Sequence, residues 1–118
     1  MTEQNPPARI GLVAATAAGR RHADTLTAAW PHARLVEGET VADALRTAWA
    51  GCDAVIAFLA TGAVVRIVAP LLDDKRTDPA VVVVDEAARH AVALLGGRTG
   101  EPWTGLAGDG EPFIEGLA

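Results

Sequence analysis

Apolar residues fall along this chain in short blocks, separated by stretches in which they recur every three or four positions. The first block, Ile10-Gly11-Leu12-Val13-Ala14-Ala15, has the length and branched composition of a buried strand. Pro6-Pro7 stand before it, so residues 1–8 read as a flexible lead-in. Beyond Thr16-Ala17-Ala18, the residues Gly19, Ala23, Leu26 and Trp30 follow at spacings of four, three and four, which lines them along one helical face; Pro31 closes that helix. Leu35-Val36 forms a brief second strand. Thr40 then stands as an N-cap with Asp43 in the first turn, where the helix dipole favours a carboxylate. Val41, Ala44, Leu45, Ala48 and Trp49 keep the helical period.

Asp53 to Ala60 is a third strand, apolar beyond its first residue and so central in a sheet. Thr61-Gly62 ends it, and Ala63 to Leu72 resumes a helical composition. Arg66 is the sole charge there, which predicts a helix buried over most of its surface. The ring of Pro70 would meet the carbonyl of Arg66, so a kink or a restart is expected at that point. A polar loop, residues 73–79, leads into Ala80-Val81-Val82-Val83-Val84, the strongest strand of the chain. Residues 85–89 join it to His90-Ala91-Val92-Ala93-Leu94-Leu95, a connection too short for a helical crossover, so these two strands should form an antiparallel hairpin. Seven glycines then fall in the last 23 residues with no apolar period, and residues 98–118 read as a loop-rich tail. The fold class expected for residues 9–97 is α/β: three layers, a mostly parallel sheet with helices on both faces, and a C-terminal antiparallel hairpin.

Composition narrows the function classes. The 118 residues fit one domain, half of them are hydrophobic and none is tyrosine, so the core must be aliphatic. A net charge of −5 with no dense basic stripe argues against nucleic acid; Arg20-Arg21 and Lys75-Arg76 read as solvated surface pairs. The single Cys52 allows neither an internal disulfide nor a multi-cysteine zinc site, and near a helix end it reads as a small buried hydrophobe. The polar N-terminus lacks the apolar stretch of a signal peptide and no apolar run is long enough for a bilayer, so no membrane is expected and the cytoplasm is the expected compartment. His22 and His32 are expected to be exposed, and no residue spacing suggests a metal site or a dinucleotide-binding glycine motif.

In sheets of this kind, ligands bind beyond the carboxyl ends of the strands, which selects Thr16, Thr61-Gly62 and the Gly96-Gly97 region. At Thr61-Gly62 a helix start could receive a carboxylate or an oxyanion, or Thr61 could simply cap the helix. Arg66 could meet a ligand carboxylate, or pair with Asp73, Asp74, Asp78 or Asp85. Asp78, before Pro79, could equally be a turn residue. Asp85 and Glu86 end a buried strand and could do acid–base work or mark the hairpin turn, while His90 is a candidate general base.

The stretch Ala60-Thr61-Gly62-Ala63-Val64-Val65-Arg66-Ile67-Val68-Ala69-Pro70-Leu71-Leu72, with Asp74-Lys75 and Thr77-Asp78-Pro79-Ala80-Val81-Val82-Val83-Val84-Asp85-Glu86, resembles the N-terminal domain of the CbiG family of cobalamin biosynthesis, the cobalt-precorrin-5A hydrolases. With a weaker similarity upstream, the resemblance covers residues 9–97. It implies a role in the anaerobic route to cobalamin: hydrolytic opening of the ring-A lactone of cobalt-precorrin-5A, giving cobalt-precorrin-5B and acetaldehyde. It implies no cofactor, because the cobalt travels with the substrate. On this resemblance the Thr61-Gly62 turn and Arg66 become contacts for acetate or propionate side chains, Asp85 or His90 handles the proton, and the Thr61-Gly62 amides meet the oxyanion. Two departures stand out. The family follows its last strand with a segment like S-G-H-x-G-G-A-N leading into a helix, where this chain has Gly96-Gly97-Arg98-Thr99-Gly100-Glu101-Pro102-Trp103. The family also continues into a C-terminal domain, so that, with an active site between the two domains, this chain would need a partner subunit or be inactive. The expected partners are therefore cobalt-precorrin-5A or a related corrinoid, a CbiG C-terminal domain or another enzyme of the pathway, and a second copy of the chain. The alternatives are a non-catalytic corrinoid-binding or enzyme-interaction module, or a truncated fragment.

Overall fold

Three aliphatic runs free of ionisable side chains can be buried on both faces only at the centre of a sheet, and that is where the computed structural model places them. It describes residues 9–95 apart from Pro31, Lys75, Glu86 and Ala88. The lead-in over 1–8, the Gly96-Gly97 region and the tail over 98–118 lie outside the described residues. The element order is β1 (Ile10–Ala14), α1 (Ala17–Ala29), β2 (Ala33–Leu35), α2 (Val41–Gly51), β3 (Ala54–Phe58), α3 (Thr61–Val68), a single 3-10 turn (Ala69–Leu71), β4 (Ala80–Val84) and β5 (Ala91–Leu95). The sheet runs β2-β1-β3-β4-β5. Its first four strands are parallel, and β5 returns antiparallel to β4 with a register shift at Val81/Val82. The expected architecture is the observed one: a mostly parallel sheet, helices on both faces and a closing antiparallel pair.

Side-chain alternation builds two cores. Leu12, Ile56 and Val82 point to one face, where Ala23 and Leu26 of α1 cover them. Val13, Val55 and Val83 point to the other, against Ala44, Leu45 and Ala48 of α2 and Val64 and Val68 of α3. Every residue of β1, β3 and β4 is buried. Close approach of α1 to the sheet depends on Gly19, where a Cβ would stand 3.1 Å from Phe58 Cβ and 3.2 Å from Ala14 Cβ. Cys52 caps the C-terminal end of α2, and its thiol packs half-buried against the second core. Burial pushes the thiol pKa up, while the charges of Arg34 and Arg9 act the other way.

One expectation fails here. The segment after β3 is not buried over most of its surface: only Val64 and Val68 are buried in α3, and Val65 is 43% exposed. The segment is apolar in composition, yet the sheet covers one stripe of it and no described element packs on its outer side. Pro70 does end the α-helix, as expected, and sits inside the 3-10 turn.

This layering predicts opposite outcomes for two aliphatic truncations. Leu45→Ala, in a fully buried position, should cost about 2–5 kcal/mol. Val65→Ala should stay within about 0.5 kcal/mol of the parent. Urea denaturation of both variants checks this, and equal losses would contradict the assignment of faces.

Candidate functional site

Because β1, β3 and β4 run parallel, with Ala14 level with Phe58 and Ala57 with Val83, their carboxyl ends open onto one edge. A cleft of roughly 400 Å³ lies there. Its polar side chains are Thr16, Thr61, Asp85 and His90, and its walls are apolar, chiefly Phe58, Leu59, Val83 and Val92. The antiparallel pairing of Val84 with Ala91 is what brings the start of β5, and hence His90, to this edge.

The three helices begin differently. Thr16 Oγ1 accepts the Gly19 N–H at 3.0 Å at the start of α1, and Thr40 Oγ1 accepts the Asp43 N–H at 3.0 Å at the start of α2. The cap position of α3 is Ala60, which has no side-chain oxygen and makes no capping bond. Thr61 is therefore the first helical residue and not the cap, which corrects the simpler of the two expectations for it. The Val64 N–H donates to the Ala60 carbonyl at 3.1 Å as the first bond of the turn, so the amides of Thr61, Gly62 and Ala63 have no intrahelical acceptor. A Cβ built on Gly62 would meet nothing within 4 Å. Thr61 lines the cleft while Gly62 and Ala63 do not, and these amides, without an acceptor among the described residues, stand at the positive end of a helix dipole, where an anion is favoured.

The remaining candidates divide. Arg66 is exposed and makes no ion pair among the described residues, so the expected structural pairing with Asp73, Asp74, Asp78 or Asp85 is not formed. It lies in the last turn of α3 and does not line the cleft. Asp78 is placed before β4, at the opposite edge of the sheet. It is 9% exposed, and its Oδ2 accepts the Asp73 N–H at 3.0 Å, which makes it the turn residue of the 73–79 loop and separates it from the cleft. Gly96 and Gly97 lie outside the described residues. β5 itself ends at Leu95, opposite Val81, at the edge where β4 begins, because the carboxyl-end rule applies only to strands running the parallel way.

Asp85 and His90 both line the cleft, but the Asp85 carboxylate is already engaged. Its Oδ1 accepts the amides of Arg89 at 2.8 Å and His90 at 3.2 Å, closing the loop between β4 and β5. Desolvation at the cleft pushes its pKa up, but the two amide bonds and the neighbouring His90 and Arg89 charges outweigh it, and the group titrates below the ordinary carboxylate value. Such a carboxylate is a weak base, and its geometry is that of a hairpin clamp. His22, expected to be exposed, is instead half-buried, its ring 6.0 Å from that of Phe58. The available signal was its place three residues after Gly19, on the flank of the buried face. Among the described residues, no group of three or more His, Cys, Asp and Glu could hold a metal ion, and no helix is long and apolar enough to cross a membrane.

The depressed pKa of Asp85 fixes a sign. Its contribution to stability is complete above the unfolded-state value of about 3.9 and is lost as pH falls through the lower folded value. Asp85→Asn should therefore be less stable than the parent at neutral pH and converge with it in strong acid. Urea midpoints across that range check it; a gap independent of pH would show that the charge plays no part.

Comparison with known proteins agrees with this architecture. The family model described as cobalamin synthesis G N-terminal matches residues 43–102. A cobalt-precorrin-5A hydrolase of Salmonella typhimurium is 48% identical over 59 residues, 50% of this chain and 17% of that protein. One from Priestia megaterium is 49% identical over 45 residues, 38% of this chain and 12% of that protein. A crystal structure of a cobalamin biosynthesis protein G homolog from Sulfolobus solfataricus superposes with a TM-score of 0.64 at 25% identity, over 80% of this chain and 31% of that one. The chain thus spans under a fifth of the curated hydrolases it matches. The family match takes in α2, β3, α3 and both strands of the hairpin, the elements that frame most of the cleft, and on it the chain belongs to the cobalamin synthesis G N-terminal family.

Proposed function

We propose that this chain is the corrinoid-binding N-terminal part of a cobalt-precorrin-5A hydrolase. The observation that carries the reading is the uncapped first turn of α3 above an open, mostly apolar cleft. A corrinoid intermediate is a large macrocycle edged with acetate and propionate carboxylates. One carboxylate at the turn would accept the free amides of Thr61, Gly62 and Ala63, with the helix dipole adding about 0.3–1 kcal/mol. Arg66, exposed further along α3, offers a second anionic group a charged hydrogen-bond partner on the outer surface. The apolar walls suit the ring, while Thr16 retains a hydroxyl proton to donate after capping α1.

Lactone opening needs water to add to the ester carbonyl, a base to take its proton and donors for the oxyanion that develops. Asp85 is poorly suited to the proton because its carboxylate is held by two amides. His90 at the cleft is the better candidate, with Asp85 fixing its loop. With the lactone carbonyl at the turn in place of a side-chain carboxylate, the α3 amides would be the donors nearest in character to an oxyanion hole. A ring-A lactone opened in this way would leave a carboxylate and an alcohol; loss of the alcohol's proton, with the carbon–carbon bond to the macrocycle breaking and its electron pair staying on the ring, would then release the two-carbon fragment as acetaldehyde. Since the curated hydrolases are much longer, the remaining machinery would come from the rest of such an enzyme. Binding of a corrinoid without turnover is the second reading, favoured by the commitment of Asp85 to its loop.

Cobalt-precorrin-5A is incubated with the purified chain, alone and with the remaining part of a hydrolase such as that of Salmonella, and acetaldehyde is measured. Release supports the hydrolytic reading, binding without release supports the second, and neither binding nor release removes both. Gly62→Asp sharpens the test. The open space at Gly62 accepts a side chain, and a carboxylate in the first turn should stabilise α3 by about 0.5–1 kcal/mol. The same carboxylate should weaken corrinoid binding about tenfold, which is about 1.4 kcal/mol. Calorimetric titration and thermal melts read the two effects separately.

A further inference from the structure

On the α1 side of the sheet, burial exceeds the cover that the described elements provide. β4 turns Ala80, Val82 and Val84 to this side. All three are buried, Val84 completely and Val82 to 6% exposure. Among the described residues α1 is the one helix on this side, since α2 and α3 belong to the other core. It packs on β2, β1 and β3, toward the β2 end of the sheet. A helix about 10 Å across spans about two strands set about 4.8 Å apart. α1 can therefore touch the near flank of β4 without roofing it. Beyond β4, Ala93 pairs with Val82 and is exposed on the same side. The buried row of β4 thus forms the floor of a groove between α1 and β5.

This burial is that of a single chain, so its cover comes from the same chain. Pro31, Lys75, Glu86 and Ala88 belong to connections at the strand ends and cannot lie across Val82, in the middle of β4. Two longer segments remain, residues 1–8 and 96–118. The first has Met1 as its one large apolar side chain, whereas the second has Trp103, Leu106, Phe113, Ile114 and Leu117. We propose that residues 96–118 pack back into this groove and complete the α1-side core over β4. Leu95 stands opposite Val81, near the start of β4, so the segment sets out from one end of the groove. A single passage along β4 covers about 17 Å, which takes about five extended residues or about 11 helical ones. The 23 residues available exceed either need. That passage carries the polypeptide from the rim at Leu95 back to the rim where the cleft opens. The proposal concerns the core of the domain and is independent of the corrinoid reading.

NMR of the full chain tests the assignment directly. The methyl groups of Val82 and Val84 should show nuclear Overhauser contacts to side chains of residues 96–118, within one molecule. A sample mixing labelled and unlabelled chains separates these from contacts between copies. The double variant Phe113→Asp, Ile114→Asp changes only the proposed cover, and it should lower the thermal midpoint by about 5 °C or more. Methyl contacts to residues 1–8, contacts that arise only between copies, or none beyond the described elements would overturn the proposal. So would a double variant that melts with the parent.

Discussion

Complete burial of β1, β3 and β4 is the constraint from which the rest of this domain follows. Strands covered on both faces can carry no ionisable side chain without the cost of an unpaired buried charge, and these carry none. Polar chemistry is thereby displaced to the strand ends. At one edge the polypeptide turns from β1 into α1 and from β3 into α3; at the other it enters the strands. Asp78, clamped to the Asp73 amide, serves the second edge, and Thr16, Thr61, Asp85 and His90 gather at the first.

Within that edge the helix starts differ in a way that matters for ligands. Threonine oxygens close the first turns of α1 and α2, so those dipoles already face a partner. The alanine at the start of α3 supplies none. A capping oxygen there would stabilise the helix by about 1 kcal/mol, and its absence leaves donors for an external acceptor. Asp85 shows the reverse arrangement: a carboxylate whose Oδ1 is held by two local amides, which fixes the loop carrying His90.

Much of the fold was legible because its strongest elements are locally unambiguous. Val81 to Val84 can hardly be anything but a buried strand, and Thr40 with Asp43 marks a helix start in the residues themselves. The misreadings have physical causes. An apolar composition reports what a helix could bury and not what lies beside it, so α3 was expected to be covered and Arg66 to need a partner. Thr61 looked like a cap because threonine usually is one, but the helix begins a residue earlier than that role requires. Asp78 stood among the candidates because its place in the sequence does not say which edge of a sheet it reaches. His22 is more buried than expected because of the tight approach at Gly19, which carries α1 onto Phe58 and becomes visible only once the layers are assembled.

The reversed direction of β5 has an architectural consequence. Its first residue stands by the cleft and its last stands level with Val81, so polypeptide continuing from Leu95 sets out from the opposite rim. Five strand residues at about 3.3 Å each separate the two rims by about 17 Å. A domain fused after this strand would therefore need a tether of comparable reach before it could roof the mouth, whereas one inserted between β4 and β5 would meet no such detour.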